Sequence, residues 1–216
     1  MLRILVADDH PVVREGLKQI ISRMTDMSIA AEASDGQEVM DKLNKTKVDV
    51  VILDLSMPGR NGLETLVQIH GQWSKLPILV LSQFPEEQYA LRVFKAGAAG
   101  YLMKETASEE LILAIRKIAR GGKYVSESLA EQLASQLDAQ FEKPAHAILS
   151  DREFQVLCKI AQGKSPTEIA KELSLSIKTV STYRTRILEK LGKKNNAELI
   201  RYSIEHQLVE LKPLNS

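Results

Sequence analysis

Side chains able to take part in metal or phosphate chemistry follow four short apolar segments in the first half of the sequence. They are Asp8 and Asp9 after Leu2–Ala7, Asp54 after Val48–Leu53, Ser82 after Ile78–Leu81, and Lys104 after Ala99–Met103. If these segments are parallel strands, their carboxyl ends meet at one edge of a sheet and the side chains converge there. Carboxylate oxygens are ligands that suit Mg²⁺ and Mn²⁺, and a carboxylate can attack phosphorus to form an aspartyl phosphate.

Taken singly, each of these residues is more often structural than functional, and a lone aspartate at a strand end is usually a solvated or capping residue. Their occurrence together, at four strand ends, favours a functional site. Phosphoryl transfer fits the set because that reaction depends mainly on positioning and charge neutralisation. Lys104 could pair with phosphoryl oxygens and Ser82 could hydrogen-bond one of them. The residues therefore predict a metal-dependent phosphoacceptor at Asp54, with Mg²⁺ as the metal and Mn²⁺ as the alternative.

The elements that must position these residues alternate between apolar strands and amphipathic helices. In the first helix, for example, Val13, Leu17 and Ile21 recur at helical spacing. The predicted helices are Val13–Met24, Gln37–Leu43, Leu63–Trp73, Pro85–Ala96 and Ser108–Arg120, and a further strand, second in chain order, is predicted at Ser28–Ala33. Strict alternation with short connections predicts a five-stranded parallel sheet, wound by helices on both faces, over residues 1–122.

This half resembles the receiver domain of two-component response regulators. The residues that carry the resemblance are Asp8-Asp9, Asp54 with Met57-Pro58-Gly59, Ser82, and Gly97-Ala98-Ala99-Gly100-Tyr101-Leu102-Met103-Lys104. The resemblance implies a flavodoxin-like α/β fold in which Asp54 is phosphorylated by a histidine kinase or a small phosphodonor. It also implies that Mg²⁺ is held by Asp9, Asp54 and the backbone carbonyl of Ser56, with Asp8 assisting. Ser82 would be the switch hydroxyl and Tyr101 the aromatic residue that turns inward. Glu105 stands where many receivers have proline.

An enzyme is the alternative that a strand-end aspartate leaves open. Haloacid-dehalogenase-type phosphatases also use such an aspartate with Mg²⁺, but they need a second acid two residues later for turnover. Ser56 occupies that position and cannot act as a general acid. A phosphoryl group on Asp54 is therefore expected to persist, which suits a switch. At most, slow autophosphorylation from small donors and slow autodephosphorylation are expected.

The strand pattern ends after Gly122, and the rest of the chain has helical spacing only. In Ser126–Phe141, Leu129, Leu133 and Leu137 lie four residues apart, which predicts a partly helical linker over residues 123–146. Alternatively, this apolar stripe packs on a neighbouring domain or a second subunit. Four further helices are predicted at Ser150–Gln162, Pro166–Leu173, Ile177–Leu191 and Asn196–His206, so the C-terminal domain is expected to be all-α.

Positive charge is concentrated in the third of these four helices and in the residues directly after it. Six cationic side chains between Lys178 and Lys194 stand against the single acid Glu189. This density suits phosphate contacts, although a solvated helix face explains the charge equally well. The turn Ser174-Leu175-Ser176 has the spacing of a helix-turn-helix, whose second helix enters the major groove. Residues expected to face outward from that helix are Lys178, Ser181, Thr182, Arg184 and Thr185; Val180, Ile187 and Leu191 are expected to face inward.

Residues from about Ala147 to Leu208 resemble the four-helix DNA-binding domain of the LuxR type. The matching residues are Leu149-Ser150-Asp151-Arg152-Glu153, Val156-Leu157, Gly163, Glu168-Ile169-Ala170, Ser176, Lys178-Thr179-Val180, Ile187, Lys190-Leu191 and Ala197-Glu198-Leu199. By similarity, Ser181, Thr182 and Thr185 would lie at base-contact positions. Lys178, Thr179, Arg184 and Lys190 would lie nearer the DNA backbone, and Tyr183 replaces a histidine common in the family. The two halves together resemble a response regulator of the NarL/FixJ type, with its DNA-binding domain over residues 147–212.

The resemblance implies three partners: a histidine kinase, double-stranded DNA and, on phosphorylation, a second copy of the chain. A scaffold whose C-terminal helices bind protein instead of DNA is the remaining alternative. The net charge of +1 excludes a chain that is basic throughout, and no window approaches the ~20 apolar residues of a membrane span. The single cysteine, Cys158, can form no intramolecular disulfide and is expected to be a buried core thiol. A cytoplasmic protein without membrane contact is expected.

Overall fold

The computed structural model divides the chain into two compact units, residues 1–135 and 136–216. It describes residues 1–57, 62–84, 86–105, 108–126, 129–130, 145–206 and 208–209. The helix expected over Ser126–Phe141 falls almost entirely outside the described residues. Within the described ranges, no helix combines the length and the apolar character that crossing a membrane would require.

Over residues 1–122, the described part of the first unit alternates five strands with five helices. The strands are β1 (Leu2–Ala7), β2 (Met27–Ala33), β3 (Val50–Asp54), β4 (Ile78–Ser82) and β5 (Gly100–Met103). They form one parallel sheet in the order β2-β1-β3-β4-β5. The helices are α1 (Pro11–Ser22), α2 (Gly36–Lys45), α3 (Gly62–Gln72), α4 (Glu86–Lys95) and α5 (Ser108–Ala119). The doubly wound parallel sheet predicted from the sequence is confirmed.

Both faces of the sheet are buried, as a parallel sheet between two helical layers requires. Ile4 and Ile52 lie in a buried cluster with apolar residues of α1 and α5. Leu5 and Leu53, their neighbours in β1 and β3, point to the opposite face because side chains alternate along a strand. They are equally inaccessible to solvent. Near-continuous apolar sequence in β1, β3 and β4 follows from this burial on both sides.

The boundaries of β3 differ from those predicted. The strand begins at Val50 instead of Val48, and it includes Asp54. Asp49 is instead engaged by Arg3, whose backbone N–H and guanidinium donate hydrogen bonds of 2.8–2.9 Å to the Asp49 carboxylate. Hydrogen bonding by Arg3 lowers the pKa of Asp49 to about 2. The side chain of Asp49 thus fixes the entry to β3, and ladder pairing starts only with the next residue.

The described residues of the second unit form a short 3-10 helix (Ala145–Ile148) and four α-helices. These are α6 (Asp151–Ala161), α7 (Pro166–Glu172), α8 (Ile177–Leu191) and α9 (Asn196–Glu205), each within one residue of the predicted bounds. All four begin after a capping side chain that accepts the backbone N–H three residues on: Ser150, Ser165, Ser176 and Asn195. Such caps stabilise a helix start, which explains why these boundaries were predictable. Cys158 is buried in α6, as expected.

Candidate functional site

Three of the predicted site residues form a tight ionic cluster at the carboxyl edge of the sheet. Asp54 is the last residue of β3, while Asp8 and Lys104 directly follow β1 and β5. The Nζ atom of Lys104 lies 2.7 Å from Asp8 Oδ2 and 2.8 Å from Asp54 Oδ2. Asp54 is 0% exposed and Asp8 1%. The sequence placed these residues at the ends of different strands, and the parallel sheet brings them together.

The Asp54 carboxyl group is inaccessible to solvent but lies next to other charged groups. Burial raises the pKa of Asp54, and Asp8 raises it further, against the opposing effects of Lys104 and of the Ser56 N–H. That N–H donates a 3.0 Å hydrogen bond to Asp54 Oδ1. For Lys104, burial lowers the pKa, but attraction to Asp54 and Asp8 outweighs it and the net pKa is raised. The two carboxylates therefore depend on this one ammonium for charge compensation within the described residues.

Asp9 and His10 extend the cluster towards solvent. One potential ligand atom from each of Asp8, Asp9, His10 and Asp54 lies within 4.8 Å of the others. His10 Nδ1 is 2.8 Å from Asp9 Oδ1 and 3.2 Å from Asp8 Oδ1, and the His10 backbone N–H donates to Asp8 Oδ1 at 2.8 Å. His10 is not among the site residues predicted from the sequence. Its position directly after two aspartates was the signal that could have identified it.

The residues of this cluster fit a divalent metal ion. Asp8 Oδ2 and Asp9 Oδ1 are buried and receive no well-formed hydrogen bond from the described residues, although Lys104 makes an ion pair with the first. Lys104 supplies one positive charge against the three carboxylates of the cluster, so a divalent cation would compensate the remaining negative charge. Three carboxylates provide the oxygen ligands that Mg²⁺ and Mn²⁺ take, with room for further ligands. The acidic pocket is therefore compatible with a divalent metal.

Ser82 and Tyr101 are connected through Phe84. The backbone N–H of Phe84 donates to Ser82 Oγ at 3.0 Å, and the hydroxyl of Tyr101 donates to the Phe84 carbonyl at 2.6 Å. All three residues are buried, and the Phe84 ring stacks on Tyr89 with centroids 4.9 Å apart. The side chain of Tyr101 thus points inward. Both candidate switch residues, Ser82 and Tyr101, bind the backbone of Phe84 in the loop after β4. Phe84 was not singled out from the sequence because its spacing resembles that of any core aromatic residue.

The candidate DNA-contact residues lie along α8. Exposed among them are Lys178, Ser181, Thr182, Thr185 and Lys190, while Thr179, Tyr183 and Arg184 are half-buried. Val180, Ile187 and Leu191 are buried, as expected. The hydroxyls of Thr182 and Thr185 donate to the carbonyls of Lys178 and Ser181, one turn earlier in the helix. One face of α8 therefore presents small hydroxyl side chains flanked by cations.

Two of the candidate cations are engaged within the second unit. Arg184, expected to face outward, donates from Nε to Asn196 Oδ1 at 2.6 Å, at the start of α9. Lys190 Nζ lies 2.6 Å from an oxygen of Glu153 in α6, and Glu153 is only 2% exposed. Burial raises the pKa of Glu153, but hydrogen bonds from Lys190 and Ser150 outweigh it, so the net pKa is lowered. Charge density in the sequence could not distinguish these structural cations from free ones.

Comparison with known proteins agrees with this geometry. Residues 4–116 match the response regulator receiver domain, and residues 147–203 match the bacterial regulatory proteins of the luxR family. The first match alone covers more than half of the chain. This chain belongs to the response-regulator family. The family is one of DNA-binding transcription regulators of two-component systems, activated by phosphorylation, and not one of enzymes.

The response regulator is 38% identical to the oxygen regulatory protein NreC of Staphylococcus aureus (strain MRSA252) over 216 residues, 97% of this chain and 100% of that protein. It is also similar to RcsB from Salmonella enterica serovar Typhimurium bound to the promoter rprA in the presence of the phosphomimetic BeF3⁻. That match has a TM-score of 0.63 at 29% identity and covers 93% of this chain and 97% of RcsB. A structure of two RcsB dimers bound to two parallel DNAs matches with a TM-score of 0.58 at 29% identity, covering 93% and 96%.

Proposed function

We propose that Asp54 of this response regulator accepts a phosphoryl group from a histidine kinase or a small phosphodonor, and that the modification controls dimerisation and promoter binding. The observation that carries the proposal is the cluster around Asp54. A buried carboxylate at the end of β3 lies 2.8 Å from the Lys104 ammonium, which also lies 2.7 Å from Asp8. Such a cluster can hold an added negative charge next to a fixed cation.

In the proposed step, a carboxylate oxygen of Asp54 attacks the phosphorus atom of the donor. A P–O bond to Asp54 forms, and the bond between phosphorus and the donor atom breaks, with its electron pair leaving on the donor. The Ser56 N–H and Lys104 orient the Asp54 carboxylate. Mg²⁺, or Mn²⁺ in its place, would be held by Asp9, Asp54 and the backbone carbonyl of Ser56, with Asp8 assisting, and would neutralise phosphoryl oxygens.

The switch that we propose begins at Ser82. Its hydroxyl accepts a hydrogen bond from the Phe84 N–H, and a hydrogen bond from Ser82 to a phosphoryl oxygen would draw it away from that donor. Phe84 also binds the Tyr101 hydroxyl. The loop that contains Phe84, directly after β4, would therefore rearrange. This rearrangement would bias a pre-existing equilibrium between two conformations of the receiver.

The output that we propose is a change in dimerisation and in DNA binding through α8. The proposed contact residues are Lys178, Thr179, Ser181, Thr182, Tyr183, Arg184, Thr185 and Lys190. Hydroxyl groups would approach base edges and cations would contact phosphates. RcsB, a relative, has been seen as dimers bound to DNA, which supports a homodimer as the active form. We assign the receiver to residues 1–122, the linker to 123–146 and the DNA-binding domain to 147–212, in a cytoplasmic regulator.

Replacement of Asp54 tests the acceptor assignment. The full-length chain and its Asp54→Asn variant are incubated with radiolabelled acetyl phosphate and Mg²⁺, with and without a chelator. We expect near-stoichiometric, metal-dependent labelling of the unmodified chain and background labelling of Asp54→Asn. The control is Asp41→Asn, which removes an exposed carboxylate of α2 and should label normally. Undiminished labelling of Asp54→Asn would refute the assignment.

The same experiment separates a regulator from a phosphatase. The N–H of Ser56 binds Asp54, and Ser56 supplies no acid two residues after the acceptor. Label should therefore accumulate on the chain, with slow autophosphorylation and slow autodephosphorylation only. Release of many phosphates per chain from small phosphate esters would indicate an enzyme instead.

A further inference from the structure

We infer that His10 is a ligand of the metal centre and that it extends the range of metals bound there from Mg²⁺ to imidazole-binding ions such as Co²⁺ and Ni²⁺. The inference rests on the proposed function only in placing a divalent ion among Asp8, Asp9 and Asp54. It concerns which metals that site selects, and His10 is a residue to which carboxylate chemistry alone would give no role.

The position of the His10 ring has the geometry of a ligand. In an octahedral site with metal–ligand bonds of about 2.1 Å, neighbouring donor atoms lie about 3.0 Å apart. His10 Nδ1 lies 2.8 Å from Asp9 Oδ1 and 3.2 Å from Asp8 Oδ1, on either side of that value. The donor atoms of the whole group lie within 4.8 Å of one another. A single ion could therefore contact the imidazole and the carboxylates together.

A buried oxygen in the cluster provides a second observation. Asp9 Oδ1 is buried and receives no well-formed hydrogen bond from the described residues, whereas Asp8 Oδ2, which is also buried, is already paired with the Lys104 ammonium at 2.7 Å. Asp9 Oδ1 is the atom that His10 Nδ1 approaches most closely. An ion placed between these donors would satisfy both the oxygen and the nitrogen.

The backbone explains why the ring occupies this position. His10 precedes the first residue of α1 but makes no capping hydrogen bond with its side chain. Its N–H is fixed instead by Asp8 Oδ1 at 2.8 Å. The side chain is 52% exposed, so an ion can reach it from solvent. The ring is thus held beside the carboxylates and has no structural role within the helix.

The chemistry of the donors predicts which metals respond. Carboxylates alone suit hard ions such as Mg²⁺, whereas imidazole adds affinity for later first-row ions, in the order Mn²⁺ < Co²⁺ < Ni²⁺. If His10 only pairs with Asp9, the ring competes with every ion to the same extent. A ligand therefore raises the ratio of Ni²⁺ to Mg²⁺ affinity, whereas a competitor leaves this ratio unchanged.

Metal titration of the full-length chain, without a phosphodonor, tests the inference. Affinities for Ni²⁺ and Mg²⁺ are measured by calorimetry for the unmodified chain, His10→Ala and His10→Gln. We expect Ni²⁺ affinity to fall about tenfold or more in both variants, with Mg²⁺ affinity changed less than about twofold. Pulsed electron paramagnetic resonance of the Cu²⁺-loaded chain should show an imidazole nitrogen that both variants lack.

The matched control is His206→Ala, which removes an exposed histidine of the second unit and should leave the Ni²⁺ to Mg²⁺ ratio unchanged. An equal change of both affinities on replacing His10, a rise in both, or an imidazole signal lost only in His206→Ala would overturn the inference.

Asp9→Asn should lower the affinity for both Ni²⁺ and Mg²⁺. If neither affinity changed, Asp9 would not belong to a metal site, and the inference about His10 would fail with it. Failure of Asp54 labelling with the metal ratio as expected would refute only the proposed function.

Discussion

Among single residues, Lys104 links two buried carboxylates at the carboxyl edge of the sheet. Its ammonium compensates two carboxylates, at 2.7 Å and 2.8 Å, in a place where the Lys104 side chain itself is only 9% exposed. Removing one member of a buried ionic group leaves the others uncompensated, which costs much more free energy than a surface pair contributes. Lys104 is therefore a stabilising residue of the free protein as well as a proposed phosphate ligand.

The first prediction concerns Lys104→Met. We expect the free energy of unfolding of the first unit to fall by about 3 kcal/mol at neutral pH, because Asp8 and Asp54 lose their ammonium. Urea unfolding followed by the fluorescence of Trp73, the only tryptophan in the sequence, reports on this unit. Mg²⁺ should restore part of the loss by supplying another cation.

The control for this variant is Lys45→Met, at the exposed end of α2. It removes the same charge from a solvated position and should change stability by less than about 0.5 kcal/mol. Equal effects of the two substitutions would show that the buried cluster is not what Lys104 stabilises.

Among the elements, α3 approaches β3, the strand of the proposed phosphoacceptor, closely. A Cβ atom built on Gly62, the first residue of α3, would lie 2.4 Å from Leu55 Cα and 2.5 Å from the Asp54 carbonyl oxygen. The Gly62 N–H also donates to the Leu55 carbonyl at 3.3 Å. Both obstructing atoms belong to the backbone, so a larger residue would displace the segment that carries Asp54.

The second prediction compares two glycines of the same helix. Gly62→Ala should destabilise the first unit by about 1–3 kcal/mol through overpacking, and it should slow labelling of Asp54. Gly71→Ala meets no atom within 4 Å and should stabilise the unit by up to about 1 kcal/mol, since alanine is the better helix former. Urea unfolding and the rate of labelling measure both effects. Similar behaviour of the two variants would argue against the close approach.

In the second unit, α8 combines the face that we propose for DNA contact with anchors to its neighbours. Lys190 joins it to Glu153 of α6, and Arg184 joins it to Asn196 of α9. Lys178, by contrast, is exposed near the start of the helix. Lys190 and Arg184 therefore stabilise the packing of α8 on its neighbours, whereas Lys178 is accessible to the DNA phosphates of the proposed complex.

The third prediction separates these two groups. Lys178→Ala should lower DNA affinity and reduce the slope of its salt dependence by about 1, with unchanged stability. Lys190→Ala should in addition destabilise the second unit by about 1–2 kcal/mol, because Glu153 remains buried while the 39% exposed Lys190 limits the loss. Anisotropy titrations at several salt concentrations and hydrogen exchange in α6 provide the measurements. Faster exchange after Lys178→Ala would contradict the division.

At the scale of the whole molecule, phosphorylation in one unit has to alter binding by the other. Coupling between two sites of this kind is typically worth a 5- to 150-fold change in affinity. The fourth prediction is an increase of that size in affinity for selected DNA fragments, with a larger dimer fraction, when the full-length chain is phosphorylated. Neither change should occur in Asp54→Asn, whereas Asp41→Asn should respond normally.

Light scattering and fluorescence anisotropy measure the two responses on the same samples. A response of Asp54→Asn to the phosphodonor would place the controlling phosphate elsewhere. Binding of a protein partner without any DNA shift, even after phosphorylation, would favour the scaffold that the sequence left open.

The helices and strands were largely predictable because their signals are local. Alternating apolar segments and the caps Ser150, Ser165 and Asn195 each act within a few residues of one another, whereas α1 begins at Pro11, two residues before its predicted start at Val13. Where a residue near the end of an element binds a partner distant in sequence, the observed boundary differs from the predicted one. At β3, the side chain of Asp49 binds Arg3 from 46 residues away, and the strand starts later than its apolar run suggests.

The sequence by itself determined the order of strands and helices, the residues at the strand ends and the cationic helix, because these follow from periodicity and composition. Tertiary structure alone decided which side chains meet. Lys104 reaches Asp54 across 50 residues, and Phe84 joins Ser82 to Tyr101. Lys190 pairs with Glu153 across 37 residues, which charge density could not foretell. Distances between residues remote in sequence depend on how the sheet and helices pack, and that packing also places His10 against the carboxylates around Asp54.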